Sequence, residues 1–193
     1  MLPDEVLESI VSRVRAIEHV EIIRIGTRVP VTMPQRITKE LAQMLSKYHP
    51  LFINTQFNHP GEMTAEAAKA CTTLADAGIP LGNQMVFLKG INNDKYIVQL
   101  LNEGLLKARV RPYYIFHPKQ VQGTKHFEIK VSEGLKIMEY LRGHTSGLAI
   151  PQYILNAPGG LGKIPLLPEY VLESDDKHCK LRTWEGREVS IEY

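Results

Sequence analysis

Apolar residues gather in short runs of strand-forming types that recur along the chain: residues 21–27 (EIIRIGT), 51–57 (LFINTQF), 81–88 (LGNQMVFL), 109–116 (RVRPYYIF) and 147–155 (GLAIPQYIL). The first three begin at positions 21, 51 and 81, a constant spacing. Between the runs the apolar positions change to helical spacing. Val6, Ile10, Val14 and Ile17 precede the first run, and Leu41, Met44, Leu45 and Tyr48 precede the second. The punctuation agrees with this alternation. Thr64 is a helix N-cap, Asp76-Ala77-Gly78-Ile79-Pro80 stops a helix ahead of a strand, and Asn92-Asn93-Asp94 caps a helix reaching about Lys107.

Strand and helix alternating once per ~30 residues describe βα units, whose crossovers are right-handed and whose sheet is parallel. Polar residues fall at the C-terminal ends of successive strands: Arg24 and Thr27, Asn54 and Gln56, His117 and Lys119, then Asn156. Barrel enzymes place their chemistry there, so the pattern predicts an α/β fold of the partial (βα) barrel type, five strands being too few for the usual eight-stranded closure. Residues 1–169 are assigned to this barrel portion. Residues 170–193, where CKLRTW and REVSIEY flank Glu185-Gly186, are assigned to a small antiparallel β hairpin.

Composition excludes several classes. With 44% hydrophobic and 23% charged residues, the 193-residue chain is that of a globular protein. Lys+Arg 23 against Asp+Glu 21 leaves +2, too little for a nucleic-acid or membrane-surface partner. No apolar run approaches the ~20 residues of a membrane span. The opening MLPDEVLESIVSR has acids where a signal peptide carries positive charge, so a cytoplasmic location is expected. Cys71 and Cys179 offer neither a disulfide framework nor a metal cluster.

The stretch richest in chemical information is Asn156-Ala157-Pro158-Gly159-Gly160-Leu161-Gly162-Lys163-Ile164-Pro165. A phosphate-binding P-loop needs Gly at 157 and Ser or Thr at 164, and the chain has Ala157 and Ile164. What remains is a glycine loop that admits a ligand close to its backbone and presents one lysine amine, the group that forms a Schiff base with pyridoxal phosphate. A glycine turn ending on an exposed lysine is the alternative.

In RIGTRVPVTMPQRIT (24–38), NTQFNHP (54–60), ADAGIPLGNQMVFLKGIN (75–92), RVRPYYIF (109–116), LRGHTSG (141–147) and APGGLGKIP (157–165) the chain resembles the lysine 2,3-aminomutase family of pyridoxal-phosphate-dependent radical S-adenosylmethionine (SAM) enzymes. The resemblance runs from end to end. It implies a partial (βα) barrel fold and an isomerase activity that moves an amino group from C2 to C3. By the same resemblance Lys163 is the Schiff-base lysine in a loop formed with Gly159, Gly160 and Gly162. Gln84 matches a position near SAM. Tyr113 or Tyr114 walls the cofactor site, only one facing inward because neighbouring strand positions face opposite sides. His117 and His144 are possible acid–base groups, with a structural role the default for each.

The resemblance also implies elements this chain lacks. The family's [4Fe–4S] cluster is held by CxxxCxxC, N-terminal to the matched segment, and no such triplet occurs here. Its zinc cysteines lie beyond position 193, and another zinc ligand stands where this chain has Asp94. The chain is therefore expected to be a C-terminal portion, inactive alone, holding no metal, and completed by its missing N-terminal part or by homo-oligomer formation.

Two departures bear on the substrate, a small amino acid. Lysine-specific members bind the distant ammonium with two aspartates, and the matching positions here are Lys119 and Asn156. A cation with a neutral amide suits a carboxylate, since a buried unpaired charge costs several kcal/mol. This predicts L-glutamate as the substrate and β-glutamate as the product. A lysine mutase, an inactive partner-binding fragment and a pyridoxal-phosphate carrier without radical chemistry are the alternatives.

Overall fold

A computed structural model describes residues 2–193. Nine strands and six helices follow in order. Helix α1 (Asp4–Arg15) leads to β1 (Ile23–Gly26), the short α2 (Val29–Thr32) and α3 (Lys39–Ser46) to β2 (Leu51–Thr55), and α4 (Ala65–Asp76) to β3 (Leu81–Val86). Then α5 (Lys95–Lys107) leads to β4 (Val110–Phe116), and α6 (Val131–His144) to β5 (Gln152–Asn156) and β6 (Lys163–Leu166). The last three strands are β7 (Val171–Ser174), β8 (His178–Arg182) and β9 (Glu188–Glu192).

Strands β1 to β6 are hydrogen-bonded in sequence order, and β7-β8-β9 form a second sheet. The pairs β1–β2, β2–β3 and β4–β5 are parallel. An order that never reverses, with right-handed crossovers, keeps the helices on one face and makes the sheet curl. This is the partial (βα) barrel expected from the spacing. Burial follows: in β3, Leu81, Asn83 and Met85 are buried while Gly82, Gln84 and Val86 on the other face are half-buried.

By compactness the chain divides into two units. One takes in the chain up to Met85 with Leu100–Tyr113, the other Val86–Gln99 with Tyr114–Tyr193. In the first, Thr38 and Thr64 accept from the N–H groups of Leu41 and Ala67, capping α3 and α4. The Arg15 guanidinium donates to the carbonyls of Val20, Tyr48 and Pro50 and so ties the end of α1 to the entries of β1 and β2. Gly78 at φ +78° ends α4 and releases the chain into β3. The apolar stripe of α1 behaves differently from its periodicity: the helix buries Val11, which lies outside the stripe, while Val6 and Ile10 stay more than two-fifths exposed.

In the second unit the Asn92 side chain accepts from Leu88 N–H at 2.7 Å and donates to Val86 O at 2.9 Å, fixing the turn after β3. Asp94 accepts from the N–H groups of Tyr96 and Ile97 and caps α5. The run 147–155 is a strand only from Gln152, because Ser146 caps a single turn at Gly147–Ala149 and Pro151 has no N–H to enter the ladder. The C-terminal hairpin is β8–β9, and β7 adds a third antiparallel strand with a register shift between Val171 and Glu173. Trp184 lies flat on α6 at Gly143, where a Cβ would stand 2.3 Å from the indole. Arg182 adds an ion pair to Glu139.

Candidate cofactor and substrate site

At Asn156 the chain leaves β5, turns through residues 157–162 and returns as β6 with Lys163 as its first residue. The turn is closed by Ala157 N–H donating to Gly162 O at 2.8 Å. Register pairs Asn156 with Lys163 and Leu155 with Ile164. Directly opposed residues of an antiparallel pair project from the same face, so the Asn156 amide and the Lys163 amine leave the ribbon together.

Gly159, Gly160 and Gly162 have φ of +68°, +77° and +96°. A Cβ at any of them would meet nothing within 4 Å, so backbone conformation rather than crowding calls for glycine. Leu161 is right-handed at φ −71°, ψ 9°, and left-handed Gly162 follows it. That succession turns adjacent N–H groups toward one concavity suited to an anion. The Lys163 amine sits 5.0 Å from the Tyr114 ring centre and 5.6 Å from that of Phe116. These rings meet edge to face at 5.5 Å and hold the cation over their π faces.

A cavity of about 810 Å³ is lined by His117, Lys119, Asn156, Gly160, Gly162 and Lys163 among others, with no Asp or Glu in its wall. A second, of about 450 Å³, shares His117, Lys119 and Asn156 and is otherwise mainly apolar, with Val86, Leu88, Phe116, Val121 and Phe127. The residues singled out for the cofactor amine and the substrate side chain thus share one space. Gln84 and Tyr113 belong to the other compact unit. There Gly82 makes room for its neighbours: a Cβ at 82 would be 2.8 Å from Asn54 Oδ1 and 3.4 Å from Tyr113 Cβ.

His117 Nδ1 is 2.7 Å from the Tyr153 hydroxyl. Tyr153 is 1% exposed, its ring edge on to Phe87 at 5.2 Å, and burial pushes its phenol pKa well up. Desolvation lowers the His117 pKa, with Glu128 opposing. His144 is placed elsewhere, its Nδ1 donating to Tyr140 O at 2.7 Å and its ring between Tyr140 and Trp184.

Two participants escaped the sequence reading. Phe116 lies beneath the lysine together with Tyr114, one of the two tyrosines named from the sequence; the i, i+2 spacing of Tyr114 and Phe116 was the available signal. Tyr153 gave none, since its role depends on a contact 36 residues away.

Among the described residues no three His, Cys, Asp or Glu side chains are grouped for a metal ion. Cys71 is fully buried in α4, which pushes its thiol up to about 11, and the chain has two cysteines in all. A thiolate-held cluster therefore does not fit these residues. Pyridoxal phosphate does: the site combines an accessible amine, aromatic faces, a glycine concavity for an anion and a wall without carboxylates. Among the described residues no helix is long and apolar enough to cross a membrane.

Fold and site together define a partial (βα) barrel protein presenting an exposed lysine amine beside a glycine turn and a cavity without carboxylates. In sequence the chain is similar, over nearly its whole length, to members of the lysine 2,3-aminomutase family. A family model described as Lysine-2,3-aminomutase matches residues 138–192. The glutamate 2,3-aminomutase of Clostridioides difficile (strain 630) is 59% identical over 99% of this chain and 45% of that protein. L-lysine 2,3-aminomutases of Fusobacterium nucleatum and Bacillus subtilis are 54% and 50% identical over 96% of this chain, covering 44% and 40% of those proteins. The chain thus spans less than half the length of these relatives.

Proposed function

We propose that the chain supplies the cofactor lysine and the side-chain end of the substrate pocket of a pyridoxal-phosphate-dependent radical SAM 2,3-aminomutase, and that the substrate is L-glutamate. The observation that carries this reading is that Lys119, Asn156 and Lys163 line one cavity with no carboxylate in its wall. When bound, pyridoxal phosphate supplies a carbonyl for the amino group and a conjugated system that spreads charge or an unpaired electron from the adjoining carbon.

The chain's own residues then have separable tasks. Lys163 is the attachment point, oriented by Tyr114 and Phe116 so that its amine is presented at one place. Gly159, Gly160 and Gly162 permit the turn that brings the amine beside Asn156. Lys119 supplies a positive charge to a substrate carboxylate, and the Asn156 amide donates a hydrogen bond to it. A lysine substrate would place its ammonium against Lys119 with no acidic side chain among the lining residues to offset the repulsion. Gln84 contributes to the SAM site. The cluster that activates SAM is not held by this chain's two cysteines, so no step is assigned through it.

The test is a chimera in which this chain replaces the matching stretch of the C. difficile glutamate 2,3-aminomutase, assayed without oxygen on glutamate and on lysine. β-Glutamate should form and β-lysine should not. Turnover of lysine in preference to glutamate would refute the substrate assignment.

A further inference from the structure

We propose that His117 is a third donor to the substrate carboxylate, beside Lys119 and Asn156, and that Tyr153 is a positioning residue that fixes His117 with its proton on Nε2. This rests on the glutamate reading and adds to it a residue and a tautomer.

His117 Nδ1 and the Tyr153 hydroxyl are 2.7 Å apart, and one of them must donate. Tyr153 is buried and its phenol stays protonated, so its hydroxyl has a proton to give. Desolvation favours the neutral imidazole, which has one N–H. With Nδ1 accepting from Tyr153, that proton is on Nε2, the nitrogen on the opposite edge of the ring. His117 lines both cavities that Lys119 and Asn156 line, and its own backbone is fixed by donating to Ile154 O at 2.7 Å. The group it offers to those spaces is therefore a neutral N–H donor, matched to a carboxylate oxygen and mismatched to an ammonium.

The fold is built to keep Tyr153 in place. Phe87 meets its ring edge on, and Gly134 of α6 leaves the space its phenol end fills: a Cβ at 134 would lie 2.5 Å from both Cζ and the hydroxyl. A tyrosine wedged against a helix glycine and aimed at one histidine nitrogen is a second layer that orients a recognition group.

The test uses the full chain labelled with ¹⁵N-histidine and titrated with glutarate, a dicarboxylate without the amino group. The neutral His117 ring should carry its proton on Nε2, and glutarate should move that resonance. Tyr153→Phe, which keeps the ring, should give a mixture of tautomers and bind glutarate about three- to tenfold more weakly, the effect of one hydrogen bond. His117→Leu should lose as much. His117→Gln should bind within about twofold of the parent, since its amide accepts from Tyr153 and donates to the carboxylate. A proton on Nδ1 in the parent would overturn the inference. So would unchanged glutarate affinity in Tyr153→Phe and His117→Leu where Lys119→Ala weakens binding, a result that leaves the glutamate reading standing. Glutarate binding indifferent to Lys119→Ala would remove that reading and this inference together.

Discussion

Asn156 and Lys163 stand directly opposite each other across β5 and β6. Six residues separate them in the turn, and the register returns the lysine to the side of the asparagine. The group proposed to hold the cofactor and a group proposed to recognise the substrate side chain are thereby placed by the same two strands, so their separation is set by the ladder rather than by a mobile loop.

Alanine at Gly162 should lower the fraction of chain that couples pyridoxal phosphate by about tenfold, since φ of +96° is strained for any residue with a Cβ by about 1–2 kcal/mol. Because the space there is open and no clash adds to the strain, the melting temperature should fall by only a few degrees. Spectrophotometric titration with the cofactor and calorimetry of the same sample check both halves.

Gly134→Ala should destabilise the second unit by about 1–3 kcal/mol, the usual consequence of overfilling a packed site. The Cβ would meet the phenol end of Tyr153 at 2.5 Å. Combined with Tyr153→Ala, the two losses should sum to less than their separate values, measured as denaturant midpoints in a double-mutant cycle.

Acidification should weaken the fold through His117. Its pKa in the folded chain is below the ordinary value of 6.5, because desolvation disfavours the charged ring. As pH falls through 6.5 the unfolded chain takes up a proton that the folded chain resists, so this contribution is complete above that pH and declines below it. Glu128 acts in the opposite sense. The melting temperature should drop between about pH 7 and pH 5, and His117→Gln should remove part of the slope.

Cys71 should resist alkylation in the folded protein at pH 8. It is fully buried and its thiol is pushed up to about 11, so the reactive thiolate is scarce and shielded. Rapid modification before unfolding, followed by peptide mass spectrometry, would contradict this packing.

How far the sequence revealed the molecule differs from element to element. The parallel strands announced themselves through even spacing and apolar runs, and Thr64, Gly78 and Asp94 marked boundaries where the structure has them. Strand β6 was hidden because Ile164 and Pro165 sit beside three glycines, and its pairing with β5 depends on a hairpin rather than on propensity. Strand β7 is four residues long with a register shift, too short for an alternating pattern. The stripe of Val6 and Ile10 shows the converse: periodicity identifies an apolar face without saying what covers it. In the site, the glycine loop made Lys163 a candidate by itself, while the roles of Lys119, Asn156 and Lys163 came from the family resemblance. The support given by Phe116 and Tyr153, and the choice of Tyr114 over Tyr113 beneath the lysine, are tertiary and required the fold.

The most direct test of the central claim is to mix the chain with one equivalent of pyridoxal phosphate, reduce with borohydride and map the added mass by peptide sequencing. The modification should fall on Lys163, and Lys163→Ala should abolish it. Label spread over other lysines and unchanged by Lys163→Ala would contradict the account.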